Sequence, residues 1–155
     1  MERQANDGLR ELIAKDQIAT VITRLFVATD ARDWAQVKAC FAESVLFDTT
    51  SATGGQPTRM SPEKIVQAWE TGLKPIEAVH HQIGNLAVEP KGETAAATCY
   101  GIAYHYRRTR LGKNTRIFVG SYEFELKRQQ ESWRIETFRL KLKFIDGNLE
   151  LEKEL

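Results

Sequence analysis

The chain has 155 residues, of which 42% are hydrophobic and 28% are charged. This size and composition predict one soluble globular domain, residues 1–155, that is large enough to enclose an internal cavity. A formal net charge of +1 excludes the basic excess typical of nucleic-acid-binding domains, so no nucleic acid is expected as a partner. The sequence has no apolar run long enough to span a membrane and no signal-peptide core. We therefore expect a cytoplasmic protein with no membrane partner.

Three helices are predicted in the first half of the chain. The first covers about residues 9–30, where apolar side chains recur at helical spacing. Asp33 offers a cap for a second, short helix. The third helix follows Ser61, a typical N-cap with proline directly after it, and it ends near residue 72.

Strands dominate the rest of the sequence. A short strand is predicted at residues 44–48, followed by a polar, Gly-rich loop at 49–60. Alternating patterns and Gly-containing turns then predict four longer strands, at residues 79–89, 94–108, 115–128 and 132–145. In the last of these strands the alternation of apolar and polar residues shifts by one position between Ile135 and Phe138, which predicts a β-bulge. Helices followed by a strand meander are typical of an α+β fold whose sheet curls around the helices.

Three further features are expected to be structural. The two cysteines, Cys40 and Cys99, have no metal-ligand spacing and are expected to be buried free thiols. The polar residues 146–155 are expected to fray or to form a short extra element. Five basic residues flank one Gly-containing turn and are interpreted as a solvated hairpin tip: Arg107, Arg108, Arg110, Lys113 and Arg116.

Asp30, His81 and His105 stand where an apolar or small residue would suit the local pattern better. At about 100° per residue, Asp30 lies on the same line of the first helix as Leu12 and Phe26, the side expected to face the core. A carboxylate there is desolvated and needs a partner. The two histidines lie on later strands and are candidate partners. They are two of only three histidines in the chain, and they carry most of its proton chemistry near neutral pH.

Four blocks of the sequence also carry a family resemblance: LFVATDARDWAQVKACFAESVLFD, HHQIGNLAVE, TAAATCYGIAYHY and GSYEFELKRQQESWRIETFRLKL. In order and spacing they resemble the SnoaL-like branch of the nuclear transport factor 2-like superfamily. That branch includes scytalone dehydratase, bile acid 7α-dehydratase and hexachlorocyclohexane dehydrochlorinase, with ketosteroid isomerase as a more distant relative. The resemblance spans about residues 9–144. It implies a cone-shaped α+β barrel, in which a strongly bent mixed sheet wraps around the N-terminal helices and encloses one apolar pocket.

The resemblance also implies roles for individual residues. Asp30 in DARDW matches the family's carboxylate, and His81 in HQIGN matches the pocket histidine that pairs with it. His105 in AYHYR lies close to the position of a second catalytic histidine of scytalone dehydratase. Two pocket tyrosines of that enzyme correspond to Thr29 and Thr49 here, which changes the expected substrate more than the expected base.

The resulting functional hypothesis is a cofactor-independent lyase or isomerase. It is most specifically a dehydratase acting on an apolar cyclic or polycyclic hydroxy-ketone. Asp30 would orient and stabilise His81, His81 would act as the base, and His105 would act as the acid toward the leaving group. No cofactor and no metal are expected, and the expected partner is a small apolar ligand or substrate. The candidate substrate-binding residues are Phe26, Thr49, Trp69, Phe118 and Tyr122.

Other interpretations stay open at this point. The same fold can serve as a non-catalytic module that binds a small molecule or a protein, or as the small subunit of a ring-hydroxylating dioxygenase. The Asp30–His81 pair could then be a hydrogen bond that only joins the first helix to the sheet. His80 and Asp48 are expected to be structural, Asp48 as a loop cap. A homodimer or homotrimer is expected through an apolar stripe on the outer sheet face: Tyr100, Ile102, Tyr104 and Tyr106.

Overall fold

The computed structural model describes residues 2–153 of the chain. Its elements in chain order are α1 (Glu2–Ala31), α2 (Trp34–Cys40), β1 (Phe41–Asp48), α3 (Thr50–Thr53), β2 (Thr58–Met60), α4 (Pro62–Leu73), β3 (Ala78–Lys91), β4 (Thr94–Tyr106), β5 (Thr115–Gln129) and β6 (Ser132–Gly147). Within residues 2–153, no helix combines the length and the apolar character needed to cross a membrane.

The strands form a single mixed sheet in the order β2-β1-β6-β5-β4-β3. The pair β1–β6 is parallel, and the other neighbouring pairs are antiparallel. The sheet curls around the helices without closing on itself, so β2 and β3 are its edges. This is the α+β architecture that the sequence predicts, with the bent sheet wrapped around the N-terminal helices.

The core lies between α1 and the concave face of the sheet. Four α1 residues at helical spacing are at most 5% exposed: Ile18, Ile22, Leu25 and Phe26. The facing side of β4 carries small buried residues, among them Ala97 and Cys99, while α1 packs mainly against β3. The expectation that Leu12 also faces the core is wrong. It is 65% exposed, and the fully buried positions of α1 begin only at Ile18.

The predicted loop at residues 49–60 contains two short elements, α3 and β2, so this prediction is wrong in part. Asp48 caps α3, since its Oδ1 accepts hydrogen bonds from the Thr50 backbone N–H at 3.1 Å and from the Thr50 hydroxyl at 2.7 Å. The Ser51 hydroxyl donates to the Leu140 carbonyl at 2.6 Å and accepts from the Leu142 N–H at 3.0 Å. The expected capping role of Asp48 is confirmed, and Ser51 fixes α3 against β6.

The predicted bulge in the last strand is confirmed. Glu125 pairs with Thr137 and Leu126 pairs with Ile135, which leaves Glu136 as the extra residue. A second irregularity lies further along the same pair of strands, between Val119 and Gly120. Bulges bend a strand and increase its twist, and these two account for much of the curl of the sheet.

The C-terminal residues and the basic turn differ from expectation. Leu151 is fully buried in a small cluster with Leu73, Ile76 and Val79. Arg116 is only 9% exposed, so its interpretation as part of a solvated hairpin tip is wrong. Arg107 donates to the Leu151 carbonyl at 3.2 Å. The segment after β6 is therefore docked on the fold over its described length, while residues 154 and 155 lie outside the described residues.

The two cysteines behave as the sequence predicts. Cys40 and Cys99 are buried and free, with 2% and 1% of their surfaces exposed. Burial raises the pKa of each thiol to about 11. Both side chains are therefore protonated at neutral pH and act as small core residues.

Gly120 is predicted to be essential for the β5–β6 contact. A Cβ atom at this position would overlap the backbone carbonyl oxygen of Lys141, and a backbone atom cannot move aside cheaply. We expect Gly120→Ala to lower the free energy of unfolding by about 1–3 kcal/mol, the usual cost of overpacking. Gly84→Ala is the matched control, because a Cβ on this strand glycine meets nothing within 4 Å. Urea denaturation of both variants checks this prediction, and equal stability of the two would contradict it.

Candidate active site

A cavity of about 180 Å³ lies between α1, α4 and the concave face of the sheet. Four of its lining residues are apolar positions that the sequence analysis did not select: Leu73, Ala103, Phe138 and Leu140. The five predicted substrate-binding residues all line it: Phe26, Thr49, Trp69, Phe118 and Tyr122. His81 and His105 line the same cavity, so the fold brings two histidines from neighbouring strands into one apolar space.

Ala103 and Phe138 had a signal in the sequence. Ala103 lies two residues before His105 on the same strand and therefore on the same face. Phe138 follows the shift in alternation that marks the bulge in β6. Leu73 and Leu140 had no such signal, because the end of a helix and the far part of a bulged strand meet the cavity only through the tertiary fold.

Asp30 and His81 form the polar centre of this site. The Asp30 Oδ1 atom lies 2.6 Å from His81 Nδ1, and Asp30 Oδ2 accepts a hydrogen bond from the His81 backbone N–H at 2.8 Å. The predicted contact between these residues is therefore present. Both side chains are mostly buried, with 19% of Asp30 and 14% of His81 exposed.

The geometry of the pair follows from local structure. Asp30 lies in the last turn of α1, and His81 lies on β3, an edge strand of the sheet. The outer backbone groups of an edge strand have no strand partner, and the carboxylate satisfies one of them. Its other oxygen accepts from Nδ1–H of the neutral ring. The Nε2 lone pair then remains as the basic site.

His80 occupies the opposite face of β3, as the alternation of side chains along a strand requires. Its side chain is 72% exposed, and its Nδ1 lies 4.0 Å from Asp30 Oδ2. This distance is too long for a hydrogen bond. His80 is thus close to the pair but does not line the cavity, which makes it a useful comparison residue.

His105 has a different partner from His81. Arg116 Nη2 lies 3.2 Å from His105 Nδ1. A guanidinium can only donate, so Nδ1 must accept and the ring proton must be on Nε2. The pKa of His105 is lowered to about 4, first because the ring is buried and next because of the charge of Arg116. His105 is therefore neutral at neutral pH and offers an N–H donor, which differs from the protonated acid that was expected.

Tyr122 provides a second neutral donor beside the cavity. It is 7% exposed, and its ring packs on Phe26 with 4.8 Å between centroids. Burial raises the pKa of the phenol well above its usual value, which keeps the hydroxyl protonated. Gly101 on the paired strand makes room for the ring, since a Cβ at this position would overlap Tyr122 Cε2.

Among residues 2–153, no group of three His, Cys, Asp or Glu side chains is arranged to hold a metal ion. Asp30 uses both carboxylate oxygens on His81, and His105 Nδ1 accepts from Arg116. The arrangement can therefore supply one base, at least one neutral donor and an apolar enclosure.

Comparison with known proteins identifies the fold and the family. The SnoaL-like domain family matches residues 10–139. A search of curated protein sequences gives no significant match. Solved structures give many, and one of the most similar is the Kfla4162 protein of Kribbella flavida, with 20% identity and a TM-score of 0.83 over 89% of this chain and 95% of that protein.

Two further structural neighbours carry names that refer to chemistry. The hexachlorocyclohexane dehydrochlorinase LinA-type3 of Novosphingobium barchaimii has 13% identity and a TM-score of 0.75, over 89% of this chain and 92% of its own. A protein of Novosphingobium aromaticivorans, whose proposed assignment is scytalone dehydratase, has 14% identity and a TM-score of 0.74, over 88% and 89%. At these identities the likeness shows the nuclear transport factor 2-like fold alone. Because the family match spans most of the sequence, the chain belongs to the SnoaL-like domain family.

Proposed function

We propose that this protein is a cofactor-independent lyase or isomerase, most specifically a dehydratase that acts on a small cyclic hydroxy-ketone. The observation that carries the proposal is the Asp30–His81 pair in the wall of an apolar cavity, with Nδ1 held by the carboxylate at 2.6 Å. A carboxylate at Nδ1 fixes the tautomer of the ring and stabilises the imidazolium that forms when Nε2 takes a proton. Such a base typically contributes about 10²–10⁴-fold in rate.

The proposed reaction begins at the carbon next to the ketone. His81 Nε2 removes a proton from this carbon, and the electron pair of the broken C–H bond moves into an enolate. Neutral donors stabilise the enolate oxygen, with His105 Nε2–H and the Tyr122 hydroxyl as the candidates. The enolate then expels the hydroxyl on the adjacent carbon, which takes the proton from His81 and leaves as water. The products are an enone and water, and His81 is neutral again.

This sequence uses His81 for both proton transfers. His105 is neutral, with its pKa near 4, and a neutral imidazole is a poor proton donor to a leaving group. It is well suited to donate a hydrogen bond without transferring its proton. Isomerisation of a double bond would use the same first step, followed by return of the proton to another carbon.

The size of the cavity narrows the proposed substrate. A volume of about 180 Å³ is close to that of an engineered cavity of about 150 Å³ that holds benzene. A single-ring compound therefore fits this volume, which makes single-ring hydroxy-ketones the first substrates to test. One structural neighbour is named a dehydrochlorinase, and another has scytalone dehydratase as its proposed assignment. Both names describe eliminations, which agrees with the proposed class of reaction.

Asp30→Asn and His81→Ala are predicted to abolish proton abstraction. We expect each to reduce the rate at least about 100-fold, since each removes part of the base. The assay follows two readouts on a panel of single-ring β-hydroxy-ketones. Proton NMR measures solvent deuterium exchange at the carbon next to the ketone, and ultraviolet absorbance measures formation of the conjugated enone. The exchange readout detects the base even when elimination is slow.

His80→Ala is the matched control for these two variants, because it removes an exposed histidine next to His81 without touching the cavity. It should retain full exchange and turnover. Circular dichroism should show that all three variants remain folded at the assay temperature. Binding of ring compounds by the unmodified protein without any exchange or elimination would instead favour a ligand-binding module. Unfolding of both Asp30→Asn and His81→Ala would favour a purely structural pair.

The neutral state of His105 predicts a pH dependence of stability. Its pKa is about 4 in the folded protein against an ordinary value of 6.5, so between these pH values the unfolded chain binds an additional proton. The stability linked to this residue is complete above about pH 6.5 and is lost as the pH falls toward 4. In this window we expect a contribution of up to about 1.4 kcal/mol per pH unit to the free energy of unfolding.

Urea denaturation at pH 7 and pH 5 checks this expectation. The stability of the unmodified protein should fall more steeply than that of His105→Gln, which has no titrating group at the position. His80→Gln, which removes an exposed histidine, controls for the loss of an imidazole from the surface. Equal losses in the unmodified protein and in His105→Gln would contradict a neutral, buried His105.

A further inference from the structure

Three side chains connect the C-terminal segment, residues 148–153, to the cavity. Glu152 in this segment pairs with Arg116 on β5, and Arg116 in turn donates to His105 on β4. His105 and Arg116 are direct partners in the β4–β5 register, so their side chains leave the sheet side by side. His105 lines the cavity, so Glu152 is two side-chain contacts away from a residue of the cavity wall.

The Glu152–Arg116 contact has the geometry of a two-point ion pair. Arg116 Nη1 donates to Glu152 Oε2 at 2.7 Å, and Nη2 donates to Glu152 Oε1. The Arg116 side chain is 11% exposed and Glu152 is 33% exposed. A guanidinium this deeply buried requires a carboxylate partner, and the planar two-point contact fixes its orientation as well as its charge.

The fixed orientation decides what Arg116 can do to the histidine. Nη2 carries two protons, one directed to Glu152 and the other to His105 Nδ1. Because the guanidinium has no lone pair to offer, this contact exists only when Nδ1 is unprotonated. The ring proton is then on Nε2, where it can serve as a hydrogen-bond donor. Arg116 also lies over the Phe118 ring, with 5.0 Å from Cζ to the centroid, which further restricts its position.

The C-terminal segment is held in place by contacts independent of Glu152. Leu151 is fully buried against Leu73, which itself lines the cavity. Arg107 Nη1 donates to the carbonyl of Glu152 at 2.8 Å, in addition to that of Leu151. The Asn148 backbone N–H donates to the Thr115 carbonyl at 2.9 Å. Glu152 is therefore presented to Arg116 by a docked segment.

We propose that Glu152 and Arg116 are positioning residues of the site: the C-terminal segment holds Arg116 so that Arg116 keeps His105 in the Nε2–H tautomer. The effect on turnover rests on the proposed function. The tautomer itself does not, because it can be measured in the protein without substrate.

Besides burial, four charged or titratable groups influence the pKa of His105, two in each direction. Arg116 and His81 lower the pKa of His105, in addition to burial, while Glu152 and Asp30 raise it. Removal of Arg116 should therefore raise the pKa of His105 and also free Nδ1 to carry the proton. The hydrogen bond from Arg116 lowers the pKa of Glu152 in turn, so Glu152 remains ionised at neutral pH.

The test is ¹⁵N NMR of the histidine side chains in the ligand-free protein, with His105 assigned by its absence in His105→Gln. We expect the unmodified protein to show His105 as the Nε2–H tautomer from pH 6 to pH 8. Arg116→Met should give a mixture of tautomers and a higher pKa. Glu152→Gln, which keeps the side-chain length and removes the charge, should shift the tautomer ratio in the same direction but less.

Glu150→Gln is the matched control. Glu150 lies in the same segment and its carboxylate pairs with the exposed Lys153, so its variant should leave His105 unchanged. The proposal is overturned by an Nδ1–H tautomer in the unmodified protein, or by a tautomer that neither Arg116→Met nor Glu152→Gln alters. A shift in Arg116→Met alone would overturn the role of the C-terminal segment. Circular dichroism of each variant separates these outcomes from loss of fold.

Turnover provides the second readout. At metal sites, mutation of the residue that hydrogen-bonds to a ligating histidine lowers metal affinity or activity about 10–100-fold. We expect a similar loss of kcat in Arg116→Met and no change of kcat in Glu150→Gln. Full turnover in Arg116→Met together with inactive Asp30→Asn would overturn this inference and leave the proposed function intact. The expected tautomer shift in a protein without turnover would support the positioning role and overturn the proposed function.

Discussion

The position of one carboxylate determines the rest of the site. Asp30 uses one oxygen for the ring of His81 and the other for the backbone N–H of the same residue. Burying a carboxylate costs several kcal/mol unless donors compensate, and here two donors from one residue do so. The contact therefore fixes the end of α1 against an edge strand, and it fixes the histidine ring in the wall of the cavity at the same time.

The cavity itself is a consequence of how the sheet bends. Small residues on the inner face of β4, such as Ala97 and Cys99, occupy little of the volume between the sheet and α1. Further along the strand, Gly101 has no side chain, which leaves room for the Tyr122 ring. The bulges in the β5–β6 pair bend the sheet around the helices. Trp69 and Leu73 of α4 complete the lining of the cavity. Both the apolar enclosure and the placement of donors thus follow from strand geometry.

The Asp30–His81 contact could be predicted because periodicity places Asp30 toward the core and the family resemblance selects His81, rather than His105, as its partner. The helical period places Asp30 on the inner side of α1, and the strand period separates His81 from His80. The Glu136 bulge was visible as a shift in the same strand alternation. Arg116, Leu151 and Ser51 were missed because their partners lie far away in sequence. A basic residue in a charged run is typical of a solvated turn, and only the fold shows that Glu152, 36 residues later, makes its burial possible.

The two histidines illustrate how a partner at one atom can assign opposite roles to the same side chain. The partner of His81 Nδ1 is a carboxylate, which accepts a hydrogen bond, so Nε2 keeps its lone pair and can act as a base. The partner of His105 Nδ1 is a guanidinium, which can only donate a hydrogen bond, so the ring proton lies on Nε2. Burial then keeps His105 neutral. Since both rings line one cavity, the fold can offer a base and a hydrogen-bond donor to one ligand from a single residue type.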